Sequence, residues 1–169
     1  SGQKLAFAEL AAKMLHTGEA ITVSADVNPA SAGGAFGVHL VDIAVDPETG
    51  KIDILRYTAA QDVGTAIHPA YVEGQIQGGA AQGIGWALYE DVVLKDGAMA
   101  NHQLTNYLLP TAADTMPIRT FFHERPYAHG PGGAKGIGEL PMDGPAPAIG
   151  AALHDALGVN LPRIPYLPE

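Results

Sequence analysis

The sequence predicts an α+β fold, mixed sheets with packed helices, and three observations carry that expectation. Residues 38–45 and 52–60 alternate apolar and polar side chains about a short turn, the pattern of a β-hairpin. Val72, Ile76, Ala80, Ile84 and Leu88 recur at every fourth position through residues 69–90, a helical period. Residues 145–157 read as a further helix stopped by Gly158.

The remaining elements follow in order. Leu5, Ala8, Ala12 and Leu15 place an amphipathic helix over residues 4–17, with Gly18 as its stop. Residues 20–27 alternate as a strand would, and residues 28–37 form a loop with Pro29, Gly33 and Gly34. The hairpin turns through Asp46-Pro47-Glu48-Thr49-Gly50, with proline early and glycine at its end. Val41, Ile43 and Val45 mark its buried face. Residues 91–94 and 118–124 read as short strands, and residues 128–138 as a glycine-rich segment. Without an internal repeat or a flexible linker, residues 1–169 are expected to form a single piece.

Composition narrows the function. Nearly half of the 169 residues are apolar and 16% are charged, which suits a packed core rather than disorder. A formal charge of −9 without a basic cluster argues against nucleic acid and against an anionic membrane surface. No stretch reaches the ~20 apolar residues of a membrane span, and the start Ser1-Gly2-Gln3-Lys4 has no signal-like apolar run. The absence of cysteine excludes disulfides, thiolate metal sites and a cysteine nucleophile in this chain. It fits a cytoplasmic setting, with the periplasm as the alternative.

Two stretches stand out chemically. The helix over residues 69–90 contains Gly74, Gly78, Gly79, Gly83 and Gly85, each disfavoured by about 0.5–1 kcal/mol relative to alanine. Gly74, Gly78 and Gly85 share a side with Gln75 and Gln82, so the stripe suggests close backbone packing beside polar hydrogen-bonding work. The second stretch runs from His129 to Pro141, where five glycines can expose backbone N–H donors and admit a bound group. Glu139 stands at its end between Gly138 and the stiffening Pro141. A carboxylate held against a bulky cofactor and partly desolvated would have a raised pKa and could accept a proton from a nucleophile. A solvated loop glutamate is the plain alternative.

Other chemistries fit poorly. Lys135 lies between Ala134 and Gly136, unlike the lysine of a P-loop, and the glycine spacing is not that of a dinucleotide-binding turn. The seven histidines form no zincin pair, His39 and His154 being ordinary strand and helix residues. None of Ser1, Ser24 and Ser31 lies in a nucleophile elbow.

Three segments together resemble the C-terminal part of the molybdopterin-binding large subunit of the xanthine dehydrogenase and aldehyde oxidase family. They are residues 38–69, with Asp-Pro-Glu-Thr-Gly and Gln61-Asp62-Val63-Gly64; residues 72–88, with Glu-Gly-Gln-Ile-Gln-Gly-Gly-Ala-Ala-Gln-Gly-Ile-Gly; and residues 130–141. Their order and separation match as well, over nearly the whole chain. The resemblance implies hydroxylation of a carbon by water-derived oxygen at a molybdenum–pterin centre, either molybdopterin or its cytosine dinucleotide. It implies that Glu139 is the general base, that Gly138 lies beside the metal's ligands, and that Gln82 and Gly83, with Gly138, bind the cofactor, Gln82 by hydrogen-bonding the pterin. No protein side chain is implied as a metal ligand.

The family's large subunit is several times longer than this chain. The resemblance therefore implies a split subunit, a fragment or a remnant, inactive alone. It also implies partners: the remainder of the molybdenum-binding subunit, and iron–sulfur and FAD centres on other chains or domains. Its small-molecule substrate would be an N-heterocycle, a purine, an aldehyde or carbon monoxide. Two other readings remain open: a cofactor-free structural or assembly domain of the same fold, and a small-molecule module using the glycine loop as an anion nest. Standing alone, the piece is expected to expose a large apolar patch.

Overall fold

A computed structural model describes residues 4–18, 22–26, 28 and 33–168, in two units, Ser1–Ser31 and Ala32–Glu169. In the first unit α1 (Phe7–Thr17) is the expected helix, begun three residues later than the apolar pattern suggests. The Glu9 carboxylate accepts the Ala6 N–H at 3.2 Å, and Gly18 closes the helix at φ 75°. No residue of α1 is buried, and Phe7 and Leu15 are largely exposed. Residues 22–26 have no regular structure, so the strand expected over residues 20–27 is not formed there; its other residues lie outside the described ones. Alternation alone does not hold a strand, which needs a neighbour to satisfy its ladder.

The second unit is built on the hairpin. Strands β1 (Gly37–Val45) and β2 (Ile52–Asp62) pair antiparallel, with Gly37 opposite Gln61 and Val45 opposite Ile52. The turn closes through the Gly50 N–H donating to the Asp46 carbonyl at 2.8 Å, while Asp46 Oδ1 accepts the Glu48 N–H. Helix α2 (Pro69–Leu88) follows, with Pro69 at its first turn and the His68 ring accepting from the Tyr71 N–H. A two-residue turn of Asp96 and Gly97, both at positive φ, joins the short strands β3 (Leu94–Lys95) and β4 (Ala98–Met99). Strand β5 (Ile118–His123) returns to pair parallel with β2, giving the order β1-β2-β5 and a mixed sheet. The short α3 (Leu140–Asp143) and then α4 (Pro145–Leu157) complete the unit, with Gly158 capping α4 in the left-handed region.

Alternation in the strands puts the core on one face of the sheet. Tyr57 and Ala59 of β2 are fully buried against Ile76, Ala80 and Ile84 of α2 and Ile149 and Leu153 of α4. Val41, Ile43, Ile118 and Phe122 pack around them. Each large apolar side chain buried there contributes roughly 1.5–3 kcal/mol. The other face is open: Val38, Ala60 and Phe121 align across the three strands, with Leu40 beside them. Val38, Leu40 and Phe121 are each about 60% exposed, an apolar patch of the kind that a binding surface leaves.

The glycines of α2 divide in a way the expected stripe does not anticipate. A Cβ at Gly79 would lie 2.7 Å from Pro141 Cβ, and one at Gly83 would lie 2.5 Å from the Met142 carbonyl oxygen and 2.6 Å from Pro145 Cγ. These two glycines, one turn apart, form the seat on which α3 and the start of α4 rest. Gly85 faces Pro110 and Glu90. A Cβ at Gly74 or Gly78, by contrast, would meet nothing within 4 Å among the described residues. Close packing therefore runs along the Gly79–Gly83 side, and only Gly85 of the expected stripe takes part in it.

Candidate active site

The end of β2 and the glycine loop, about 70 residues apart in sequence, are docked onto each other. The loop makes a single 3-10 turn (Pro131–Gly133). The Gly133 carbonyl accepts both the Thr65 and the Tyr127 N–H groups at 2.9 Å, and the Lys135 N–H donates to the Val63 carbonyl at 3.1 Å. Gly64 and Ala134 form a β-bridge. Glycine is required at Gly64 on two grounds: its φ is +66°, and a Cβ there would strike the Gly133 carbonyl and lie 2.8 Å from the Lys135 nitrogen.

A buried ion pair lies beneath this junction. Lys135 Nζ pairs with Asp62 Oδ2 and also donates to the Gly34 carbonyl at 2.9 Å, and both charged side chains are less than 10% exposed. Burial pushes the Asp62 carboxyl up. The hydrogen bonds from Lys135 and the Gly64 N–H, with the charges of Lys135 and His123, outweigh that and hold it below the usual carboxylate range. The sequence shows Asp62 only within Gln61-Asp62-Val63-Gly64 and Lys135 only as a lysine unlike that of a P-loop. Each stands in a quoted motif, but nothing local pairs an aspartate with a lysine 73 residues away.

From Lys135 the chain runs through half-buried Ile137 to the exposed Gly138 and Glu139. Glu139 stands at the N-cap of α3, its carbonyl accepting the Met142 N–H at 2.8 Å. Two residues on, Pro141 is buried against Gly79. Glu139 is thus strung between two fixed points, Lys135 and Pro141. Gln82 is exposed on α2, three residues after Gly79 and one before Gly83, so α3 touches the helix on either side of it. Gly83 itself is buried under α3. The structure therefore brings the Glu139 turn and the Gln82 segment together through α3, with Glu139, Gly138 and Gln82 all at the surface.

The surface also has room for a bulky group. Among the described residues, a Cβ at Gly74, Gly78, Gly136 or Gly138 would meet nothing within 4 Å, and none of the four has a positive φ. Neither packing in this chain nor backbone conformation demands glycine at these positions, whereas a large planar group lying against the surface would. In this respect the residues fit a pterin cofactor. A cavity of about 730 Å³ near the hairpin turn, lined by Lys51, Asp53, Tyr89 and Tyr166, is lined by none of these site residues.

On the core-side face of the sheet a polar chain links β1 and β2. His39 Nδ1 lies 2.7 Å from the Tyr57 hydroxyl, and His39 Nε2 lies 3.3 Å from Nε2 of the buried Gln61. His39 packs on Gly144, and Leu140 packs near Gly37 beside Gln61. Burial lowers the His39 pKa below its ordinary 6.5, a shift that the Asp143 carboxylate partly offsets, and burial alone pushes the Tyr57 phenol up. The folded state therefore binds fewer protons at His39 than the unfolded state does. Stability should be fully present above pH 6.5 and decline as pH falls from 6.5 through the lowered folded value. Urea unfolding from about pH 7.5 to about pH 5 should show that slope and a flatter one in His39→Gln.

Comparison with known proteins agrees with this arrangement. Residues 2–116, more than half of the chain, match the molybdopterin cofactor-binding domain family; that span includes Gln82 and Gly83, while Gly138 and Glu139 follow it. The chain is 40% identical over 138 residues to the 6-hydroxypseudooxynicotine dehydrogenase complex subunit gamma of Paenarthrobacter nicotinovorans, covering 79% of this chain and 17% of that protein. It is 37% identical over 122 residues to the carbon monoxide dehydrogenase large chain of Hydrogenophaga pseudoflava, covering 72% of this chain and 15% of the other. Among solved structures, quinoline 2-oxidoreductase from Pseudomonas putida 86 superposes with a TM-score of 0.74 at 39% identity, over 79% of this chain and 18% of that one. The chain thus spans less than a fifth of the length of these relatives. Among the described residues, no helix is long and apolar enough to cross a membrane. The chain belongs to the molybdopterin cofactor-binding domain family, and it corresponds to a C-terminal part of the molybdenum-binding large subunit of the xanthine dehydrogenase and aldehyde oxidase type.

Proposed function

We propose that this chain supplies the general base and part of the pterin-binding surface of a molybdenum hydroxylase that oxidises an N-heterocycle, a purine or an aldehyde with water-derived oxygen. The observation that carries the reading is the seat of α3: its N-cap is Glu139, and it rests on Gly79 and Gly83, on either side of Gln82. When bound, the molybdenum–pterin group, as molybdopterin or its cytosine dinucleotide, supplies the redox centre that takes electrons from the substrate carbon. Glu139 accepts, at a carboxylate oxygen, the proton released as the attacking oxygen bonds to that carbon. The Gln82 side chain offers both a donor and an acceptor to the edge of a pterin. Gly138 keeps the surface next to Glu139 clear. Gly83 acts from beneath, by letting α3 sit close to α2.

The chain is inactive alone in this reading. The remainder of the molybdenum-binding subunit completes the cofactor site, and iron–sulfur and flavin centres on partner chains or domains carry the electrons away. Two observations support it: the chain spans 15–18% of the relatives' length, and the sheet face bearing Val38, Leu40 and Phe121 is open. The test is molybdenum and pterin analysis of the complex isolated from its native source. Gln82→Ala should weaken pterin retention by about 2–10-fold, as loss of a single hydrogen bond does, measured as pterin released on dialysis. A stable native complex free of molybdenum and pterin would overturn the reading in favour of a structural domain.

A further inference from the structure

We propose that Asp62 and Lys135 form a positioning clamp that fixes the glycine loop, and through it Glu139, against the end of β2. Its consequence for turnover rests on the reading of Glu139 as the base, but the clamp itself is a property of this chain. Five glycines between residues 130 and 138 leave the loop backbone with many accessible conformations. Main-chain bonds hold it at Gly133 and at the Lys135 nitrogen. Beyond Lys135, a Cβ at Gly136 or Gly138 would meet nothing within 4 Å among the described residues, and half-buried Ile137 is the side chain that packs ahead of Glu139. The last polar anchor ahead of Glu139 is therefore the Lys135 side chain. It runs inward to reach Asp62 and the Gly34 carbonyl, tying the loop at once to β2 and to the segment entering β1.

Stability alone is a poor reason for such a pair. Buried charges lose their hydration, and apolar residues of similar volume often serve a fold as well or better. Direction is what an ion pair adds. A carboxylate whose Oδ1 accepts the Gly64 N–H at 3.0 Å is fixed in orientation, with Oδ2 turned to the Lys135 ammonium. The clamp sets the register of the loop on β2, and Glu139, four residues after Lys135, takes its place from that register. Lys135 and Asp62 are thus positioning residues that act through Glu139.

The test uses the full complex and its cofactor-free form. D62M/K135M removes both charges and keeps comparable volume, so neither charge is left buried alone. Amide hydrogen exchange over residues 133–138 should quicken by about ten-fold or more, while β1 and α4 exchange as before. With unchanged molybdenum and pterin content, kcat should fall by roughly ten-fold or more with little change in KM, because a misplaced base loses rate rather than binding. K135R, which restores the cation, should recover both within about three-fold. If D62M/K135M does not fold, D62E keeps both charges and shifts the carboxylate by one methylene; faster exchange confined to residues 133–138 is again expected. Unchanged loop exchange in the variant that folds overturns the clamp, whatever happens to turnover. Loosened exchange in D62M/K135M together with full activity in E139Q upholds the clamp and sinks Glu139 as the base, so the two readings fail separately.

Discussion

Replacing Glu139 by Gln in the assembled complex is expected to lower kcat by roughly 10²–10⁴-fold, the loss that removal of a general base brings. The substitution is close to isosteric and leaves an amide that cannot accept the proton at neutral pH. Glu139 is exposed, and no hydrogen bond of its side chain forms within the described residues. Its carbonyl, which caps α3, belongs to the main chain and is unaffected. The fold should therefore change by no more than about 0.5 kcal/mol, the range for surface substitutions away from caps and cores. The loss should fall on kcat and kcat/KM together, because the proton moves only on the way to the transition state. Rates are to be normalised to molybdenum, so that poor loading is not mistaken for poor chemistry. A rate within a few-fold of the parent would remove Glu139 from the mechanism.

How much of this was legible from sequence differs by element, for physical reasons. The hairpin, α2 and α4 could be read because periodicity and their stops are local: Asp46 to Gly50 sets the turn, and Val72 to Leu88 sets the buried line. The strand expected over residues 20–27 has the same local signal, yet residues 22–26 form none, because pairing is not encoded locally. The Asp96-Gly97 turn is legible too, since Asp-Gly is the dipeptide that a two-residue hairpin turn favours. Helix α3 is a single turn, too short for any period to show, and its existence rests on Pro141 docking at Gly79. Glu139 and Gln82 came from motifs quoted in order. What placed them in one region is α3 on its glycine seat, a tertiary contact between segments about 60 residues apart.

That seat yields a prediction in which one substitution on one helix has opposite signs. Gly78→Ala adds a methyl group facing open space, so in the cofactor-free chain it should stabilise by about 0.5–1 kcal/mol, the ordinary helix preference of alanine. Gly83→Ala adds the same methyl 2.5 Å from the Met142 carbonyl oxygen, a backbone atom, and 2.6 Å from Pro145 Cγ, in a ring that cannot rotate away. Overpacking of that kind costs about 1–3 kcal/mol, against which alanine's helix preference is the smaller term. At about 2–4 °C per kcal/mol for a chain of this size, thermal unfolding should separate the two variants clearly. Function should not follow stability. If the open glycines make room for the pterin, Gly78→Ala should hold its cofactor less tightly although it folds better. Gly83→Ala should lose turnover although its methyl group touches nothing that reacts, because lifting α3 moves Glu139, and small displacements of a catalytic group are expensive in rate. Equal melting temperatures for the two variants would mean that α3 yields easily, and a base mounted on so compliant a turn would have to be held by the Asp62–Lys135 pair alone.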